Sequence, residues 1–175
     1  MKPSRLVRAP HTGPVPLEIE RKFVAAHAPD ADRLGGGVHM RQGYLAEEGG
    51  VTLRVRISDA GSWLTVKAGS GLTRTEVEMA VDDGAAEELW PHTSGRRIEK
   101  TRYRVELPDA DTVAEVDLFE GDLAGLCIVE VEFGSIDAAK AFTPPTWFGR
   151  EVTGEQGWSN ADLARAGRPA SSACD

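Results

Sequence analysis

Apolar and charged side chains alternate with a two-residue period through nearly every strand-like segment of this chain. Near position 55, Leu53 and Val55 point to one side of an extended backbone. Arg54 and Arg56 point to the other side, so the pattern predicts strands with one apolar and one ionic face. Eight such strands are predicted, at 17–24, 38–46, 51–58, 62–68, 73–81, 97–107, 112–119 and 126–133. The fold must bury the apolar faces and either solvate or pair the ionic ones.

Short connections between these segments favour antiparallel neighbours. Turn-forming residues stand at 47–50, 59–61, 69–71 and 108–111. Three short helices are predicted outside the strands, at 83–89, 135–142 and 160–166. Ser135 is expected to cap the second helix, and Ser159 or Asn160 the third.

The ionic faces have two interpretations. An antiparallel sheet with one wet side is the simpler account of any single strand. Solvated faces usually mix in Thr, Ser and Gln, however, whereas Arg, Lys, Glu and Asp fill almost every position here. Eight strands can close into a barrel whose interior holds side chains or one small ligand. Buried charges must be paired or bind ions, so basic side chains would hold a polyanion and carboxylates would hold Mg²⁺ or Mn²⁺.

The chain length sets the domain organisation. A chain of 175 residues suits one domain, which we predict at 17–167. A flexible extension at 1–16 would precede it, and a disordered tail at 168–175 would follow. No apolar run approaches the roughly 18 residues of a membrane span, and the N-terminus lacks the apolar run of a secretory signal.

Net charge and cysteine content exclude several classes of function. The formal net charge of −8 argues against bulk nucleic-acid binding, which needs an excess of Lys and Arg. Cys127 and Cys174 have no spacing typical of a zinc site. They also indicate no disulfide framework, which fits a reducing cytoplasm. We therefore predict a cytoplasmic protein that binds neither nucleic acid nor membrane.

Ordered motifs resemble one family over roughly 17–164. They are Glu18-Ile19-Glu20-Arg21-Lys22-Phe23, Gln42-Gly43-Tyr44-Leu45, Arg54-Val55-Arg56, Leu64-Thr65-Val66-Lys67, Ile98-Glu99-Lys100-Thr101-Arg102-Tyr103, Glu115-Val116-Asp117 and Val129-Glu130-Val131-Glu132. With these motifs in this order, the chain resembles the CYTH family, the triphosphate tunnel metalloenzymes. The resemblance implies a mainly β (α+β) fold: an eight-stranded antiparallel β-barrel that forms a closed tunnel, with short helices packed outside. It also implies a triphosphate substrate and a divalent metal, Mg²⁺ or Mn²⁺.

The resemblance implies a role for each matching charged residue. The residues implied to grip phosphate oxygens are Lys22, Arg54, Arg56, Lys67, Arg74, Lys100 and Arg102. The residues implied to hold metal are Glu18, Glu20, Glu130 and Glu132, with Asp117 and Glu78 contributing to the metal site through water. Phosphoryl transfer to water needs neutralised charge and an in-line nucleophile. Glu20, Lys22 and Glu132 are therefore the expected catalytic residues, and pyrophosphate and orthophosphate the products.

Several activities share such a tunnel. Short bacterial members that this chain resembles indicate an inorganic tripolyphosphatase. A class IV adenylyl cyclase or a thiamine triphosphatase would use a similar tunnel, and Trp63, Trp147 and Trp158 would then either stack a base or simply pack, which we favour. A non-catalytic module that binds polyphosphate or nucleotide is a further alternative, although retention of both Glu pairs favours an enzyme. An ordinary sheet-based interaction protein would leave the ordered motifs unexplained. Substrate choice and homodimer formation are left open.

Overall fold

The computed structural model describes residues 17–25, 27, 29, 34–69, 72–107 and 112–169. The predicted extension at 1–16, the turn at 108–111 and Cys174 lie outside these residues, as do parts of the predicted tail and of the turn at 69–71. The strands are β1 Leu17–Val24, β2 Val38–Glu48, β3 Val51–Ser58, β4 Gly61–Ala68, β5 Thr73–Val81, β6 Arg97–Glu106, β7 Val113–Phe119, β8 Cys127–Glu132 and β9 Arg150–Glu151. The helices are α1 Asp83–Leu89, α2 Ile136–Ala141 and α3 Asn160–Ala166, with short 3-10 turns at Trp90–Thr93, Gly121–Leu123 and Thr146–Phe148.

The strand and helix predictions are confirmed to within about two residues at each end. Ser135 caps α2 by accepting a hydrogen bond from the Ala138 amide at 3.1 Å. Ser159 caps α3 in the same way through the Asp162 amide at 3.0 Å. Strand β9 was not predicted, because two residues are too few to show a periodic pattern. No helix in the described part of the chain is long and apolar enough to cross a membrane.

Strands β1 to β8 close into an antiparallel barrel, as predicted. The hydrogen-bonded order is β5-β4-β3-β2-β6-β7-β8-β1, and a β1–β5 pairing joins the two ends. That pairing covers only residues 17–19 of β1, where Leu17 lies opposite Thr75. The second half of the same β1 edge pairs with β9 instead, with Phe23 opposite Glu151. Strand β1 therefore meets the barrel wall at one end and the C-terminal segment at the other.

The main apolar core lies outside the barrel. The outer faces of β1, β7 and β8 contribute Phe23, Val116, Val129 and Val131, all almost completely buried. The 3-10 turn at Thr146–Phe148 covers them, with the Phe23 and Phe148 rings 5.0 Å apart in an edge-on contact. Burying each such side chain contributes about 1.5–3 kcal/mol. Because the apolar faces of these strands pack into the outer core, the ionic faces of the same strands must point into the barrel.

A second apolar cluster closes one end of the barrel. Ile98 and Ile128 share the inner faces of their strands with the charged residues, but they lie nearer this end. Leu163 of α3 and the nearly inaccessible Trp158 pack against them. The expectation that Trp158 packs is confirmed, and Trp147 likewise packs against the outer core. The tunnel is therefore blocked at this end by the segment that follows β9.

Candidate active site

All the charged residues predicted for the site lie on the inner face of the barrel. The basic side chains there are Lys22, Arg54, Arg56, Lys67, Arg74, Lys100 and Arg102. The acidic side chains there are Glu18, Glu20, Glu76, Glu78, Glu115, Asp117, Glu130 and Glu132. Cross-strand register brings the two signs together: Lys22 lies opposite Glu130, and Arg102 lies opposite Asp117. The strand alternation that predicted an ionic face thus builds a charged tunnel.

An internal cavity of about 360 Å³ occupies one part of this tunnel. The predicted site residues on its wall are Glu20, Lys22, Arg54, Lys67, Arg74 and Glu130. The other predicted residues, Glu18, Arg56, Lys100, Arg102, Asp117 and Glu132, are not on this wall. Residues 152–162 form much of the opposite wall, together with residues at the β2–β3 turn. This C-terminal wall, residues 152–162, was missed by sequence analysis because it carries no charge pattern of its own.

A buried ion-pair network fills the part of the tunnel beyond the cavity. Lys100 and Asp117 form a salt bridge in which neither side chain has any solvent exposure. Arg102 binds Asp117 Oδ1 through Nε at 2.6 Å and Glu130 Oε2 through Nη2 at 2.7 Å. Lys22 Nζ lies 2.8 Å from the other Glu130 oxygen. Glu130 thus links a cation on the cavity wall to the buried pair.

The network shifts the pKa of each carboxyl group in it. Burial raises the pKa of Asp117, but Arg102 and Lys100 outweigh that effect and hold it below its usual value. Burial also opposes ionisation of Glu130, yet Lys22 and Arg102 hold the pKa of Glu130 well below normal. The pKa of Lys100 falls to about 8, because burial outweighs the attraction of Asp117. Lys100 and Arg102 thus hold Asp117 in the same way that Lys22 and Arg102 hold Glu130.

A second set of ion pairs surrounds the junction of β1 with β5. Arg74 binds Glu20, and its Nε lies 3.4 Å from Glu18. Despite burial, these two carboxylates hold the pKa of Arg74 above its usual value. Lys67 Nζ lies 3.1 Å from Glu18 and 2.5 Å from Glu76. Cations and carboxylates here neutralise one another across the strand seam.

The guanidinium groups of Arg54 and Arg56 have fewer close carboxylate partners than those of Arg74 and Arg102. Arg54 is 6% exposed, and its Nη2 lies 3.7 Å from Glu76. Its Nε has no hydrogen-bond partner among the residues that the structure describes. Arg56 Nη2 lies 3.0 Å from Glu78, and its guanidinium covers the Trp63 ring at 4.8 Å. Glu78 also accepts a hydrogen bond from Thr65. A buried guanidinium nitrogen of this kind on a residue of the cavity wall needs an acceptor, and a bound anion or a water would supply one.

Glu132 differs from the other tunnel carboxylates. No cation in the described part of the chain lies within salt-bridge distance of it. It lies opposite Glu20 in the β1–β8 register. Partial burial, with the charges of Glu18, Glu115 and Glu20, raises the pKa of Glu132. These carboxylates offer the oxygen donors that a hard divalent cation prefers, although among the described residues they do not form a group of three with ligand atoms within 4.8 Å of one another.

Tyr44 is a tunnel residue that sequence analysis missed as a site candidate. Its phenol is 4% exposed and lies on the cavity wall beside Arg54. Burial raises the pKa of Tyr44, although Arg54 opposes that shift. Its position in the Gln42-Gly43-Tyr44-Leu45 motif was the available signal.

A different group of metal-ligating side chains lies outside the barrel. His39, Glu99 and Glu120 bring one ligand atom each within 4.8 Å of one another. His39 Nε2 lies 3.0 Å from Glu99 Oε1, and the Thr101 hydroxyl donates to Glu120. These exposed groups satisfy one another and are separate from the tunnel.

Comparison with known proteins returns relatives that match over most of this chain. The chain is 47% identical over 148 residues to an inorganic triphosphatase from Nitrosomonas europaea, covering 84% of this chain and 96% of that protein. It is 37% identical over 151 residues to an inorganic triphosphatase from Acetivibrio thermocellus, covering 85% and 93%. The crystal structure of an inorganic triphosphatase superposes with a TM-score of 0.65 at 44% identity, covering 87% of this chain and 97% of that one. No family model matches the chain.

Proposed function

This chain belongs to the inorganic triphosphatases of the CYTH family, and from that membership we propose that it hydrolyses inorganic tripolyphosphate to pyrophosphate and orthophosphate. Divalent metal dependence follows from the family, and we propose Mg²⁺ or Mn²⁺ as the ion. One observation carries the substrate class: basic side chains converge on the cavity, and the buried Arg54 Nε has no acceptor among the described residues. A chain of phosphates would supply acceptors to all of them.

Substrate binding requires the ion pairs of the tunnel to exchange partners. In the structure, Glu130 neutralises Lys22 and Glu20 neutralises Arg74. Phosphate oxygens can replace Glu130 as the partner of Lys22 and Glu20 as the partner of Arg74. This exchange releases the carboxylates of Glu130 and Glu20. The released oxygens join Glu132, which has no cation within salt-bridge distance among the described residues. Binding of the phosphates would therefore free carboxylate oxygens for the metal, and binding of the metal would free Lys22 and Arg74 for the phosphates.

The carboxylate set fits a hard divalent cation. Glu18, Glu20, Glu130 and Glu132 offer only oxygen donors, which Mg²⁺ and Mn²⁺ prefer. When bound, such an ion supplies charge neutralisation along the phosphates and a lower pKa for an attacking water. We assign to Glu20 and Glu132 the task of orienting that water by accepting its hydrogen bonds. Lys22 would offset the charge on the transferred phosphoryl group. Asp117 would keep Arg102 and Lys100 in place.

The cavity wall favours an inorganic substrate over a nucleotide or thiamine triphosphate. Among the described residues, the aromatic side chains on that wall are Tyr44 and Trp158, which are 4% and 2% exposed. Neither can offer a free ring face to a base. Arg56 covers Trp63 at 4.8 Å, and Trp147 packs against the outer core. The adenylyl cyclase and thiamine triphosphatase alternatives thus lack an evident platform for their organic groups.

Phosphate release tests this proposal directly. Tripolyphosphate, ATP and thiamine triphosphate would be compared at equal concentrations with Mg²⁺, with Mn²⁺ and with EDTA. We expect metal-dependent release that is fastest from tripolyphosphate. Equal or faster release from either organic triphosphate would refute the substrate assignment. No release from any of them would favour a cyclase if cyclic AMP forms from ATP, and a binding module if it does not.

Arg56→Ala is expected to raise KM for tripolyphosphate and to lower kcat. The change removes a charge-assisted contact worth about 1.5–3 kcal/mol, so kcat/KM should fall roughly 10- to 100-fold. Steady-state kinetics in saturating metal would measure the effect. Wild-type values of both constants would show that Arg56 does not contact the substrate.

A further inference from the structure

Arg21 stands in the first motif between Glu20 and Lys22, but its side chain points out of the barrel. Its Nε and Nη2 donate to the two Glu151 oxygens at 2.9 and 2.6 Å. Its Nη1 donates to the backbone carbonyls of Ala139 and Phe142 at 3.0 and 2.8 Å. The guanidinium thus joins three elements, β1, β9 and the C-terminal end of α2. This arrangement requires the planar fork of an arginine.

Strand β9, the element that Arg21 holds, borders the tunnel residue Lys22. The Val152 amide donates to the Lys22 carbonyl at 2.8 Å, and the Lys22 amide donates to the Thr153 hydroxyl at 3.0 Å. The same hydroxyl donates to Glu151 Oε1 at 2.7 Å, so Arg21 and Thr153 share one carboxylate. Lys22 Nζ also lies 3.4 Å from the Trp158 carbonyl. The backbone and the side chain of Lys22 are both tied to the segment that begins at β9.

Residues 152–162 form the C-terminal wall of the cavity, as described above. Strand β9 contributes only two residue pairs to the sheet, Phe23 with Glu151 and Val24 with Arg150. So short a strand has little stability of its own. Its side chain at Glu151 is 39% exposed, whereas the Arg21 side chain is only 15% exposed. Arg21 is therefore the more buried member of the pair, and it contacts both Glu151 and the end of α2.

We propose that Arg21 is a positioning residue for the triphosphate site: it holds β9 through Glu151 and so sets the distance between the C-terminal wall and Lys22. The expected effect of Arg21 on KM rests on the proposed function. The expected effect of Arg21 on the C-terminal wall does not. Arg21 itself does not reach the cavity. Its hydrogen bond also holds the pKa of Glu151 below the usual value, which keeps that carboxylate charged for both of its partners.

Arg21→Lys keeps the charge but removes the bidentate pair and the two carbonyl contacts. We expect KM for tripolyphosphate to rise roughly 10-fold while kcat changes less than about twofold, because misplaced binding groups weaken substrate contacts. Glu151→Gln should raise KM by a similar factor, and the double variant should add little to either single change. Glu151→Gln also keeps the inference testable if Arg21→Lys folds poorly.

Arg41→Lys is the matched control. Arg41 also points out of the barrel, binds the carboxylate of Glu87 on α1 and stacks over Trp90 at 4.8 Å. It makes no contact with β9, so its change should leave KM at the wild-type value even if it lowers Tm. An equal rise of KM in Arg41→Lys would overturn the proposal by showing a general effect of destabilisation. Wild-type KM in both Arg21→Lys and Glu151→Gln would also overturn it.

Amide hydrogen exchange supplies a readout that does not depend on turnover. We expect faster exchange at 152–162 in Arg21→Lys than in the wild type or in Arg41→Lys, measured well below Tm. Unchanged exchange would overturn the positioning role. If the wild type failed to hydrolyse tripolyphosphate, the proposed function would fail, and the exchange comparison would still decide whether Arg21 holds the wall.

Discussion

Glu132→Gln should lower tripolyphosphate turnover about 100-fold or more, the scale seen when one preorganised polar group is removed from an active site. Glu132 is the tunnel carboxylate without a cation partner in the described part of the chain, and it lies opposite Glu20. We propose it as a metal ligand and water-orienting group, and an amide replaces the charge with a much weaker donor set. Turnover at saturating Mg²⁺ or Mn²⁺ measures the loss. Near-wild-type turnover would remove Glu132 from the catalytic residues.

The same substitution should stabilise the metal-free protein at neutral pH. Burial and neighbouring carboxylates raise the pKa of Glu132, so its ionised form opposes folding. As pH falls through that raised pKa, the wild type takes up the proton and the difference from Glu132→Gln shrinks. Thermal unfolding in EDTA at two pH values would show this trend. Glu88→Gln, at an exposed position on α1, serves as the control and should change neither turnover nor Tm.

Asp117→Asn should destabilise the protein by about 3–5 kcal/mol, the usual result of removing one partner from a buried ion pair. Both Asp117 oxygens bind cations, with Arg102 Nε at 2.6 Å and Lys100 on the other oxygen. Neither Asp117 nor Lys100 is exposed, so water cannot replace the lost charge. At neutral pH, Lys100 must then either stay charged without its partner or release its proton. Both alternatives are unfavourable.

Urea unfolding at neutral pH would measure this loss, with the exposed Asp122→Asn as the control. The pKa of Asp117 lies below its usual value in the folded state. Its contribution is therefore present above the unfolded-state pKa and is lost as pH falls through the folded-state pKa. The difference between wild type and Asp117→Asn should narrow in acid. A neutral-pH difference below about 1 kcal/mol would contradict the buried-pair interpretation.

The strands could be predicted because their signal is local. Arg54 and Arg56 flank Val55, and that order alone assigns the arginines to one face and the valine to the other. The same reasoning explains why Arg21 points away from Glu20 and Lys22. The caps at Ser135 and Ser159 are equally local, since each bonds within its own first turn. The ordered motifs then implied the closed barrel that the structure contains.

The partners of these charges could not be predicted. Glu130 binds both Lys22 and Arg102, and a choice among so many opposite charges depends on strand register and on how the barrel closes. The charge pattern did not show that Lys100 and Arg102 would bind the two oxygens of Asp117, and the metal role of Asp117 stays a prediction. The C-terminal wall escaped prediction for a related reason. Strand β9 is too short for a pattern, and Glu151 meets Arg21 only through the folded chain.

The sequence by itself determined which side chains enter the tunnel, because a two-residue period sorts each strand into an apolar face and an ionic face without reference to any other strand. Only the tertiary structure decided how the tunnel works as a site. It set which carboxylate neutralises which cation and brought residues 152–162 against Lys22. It also placed Glu132 among like charges, with no cation partner in the part of the chain that the structure describes. Those features depend on contacts between residues far apart in the chain, and such contacts exist only after the barrel has closed.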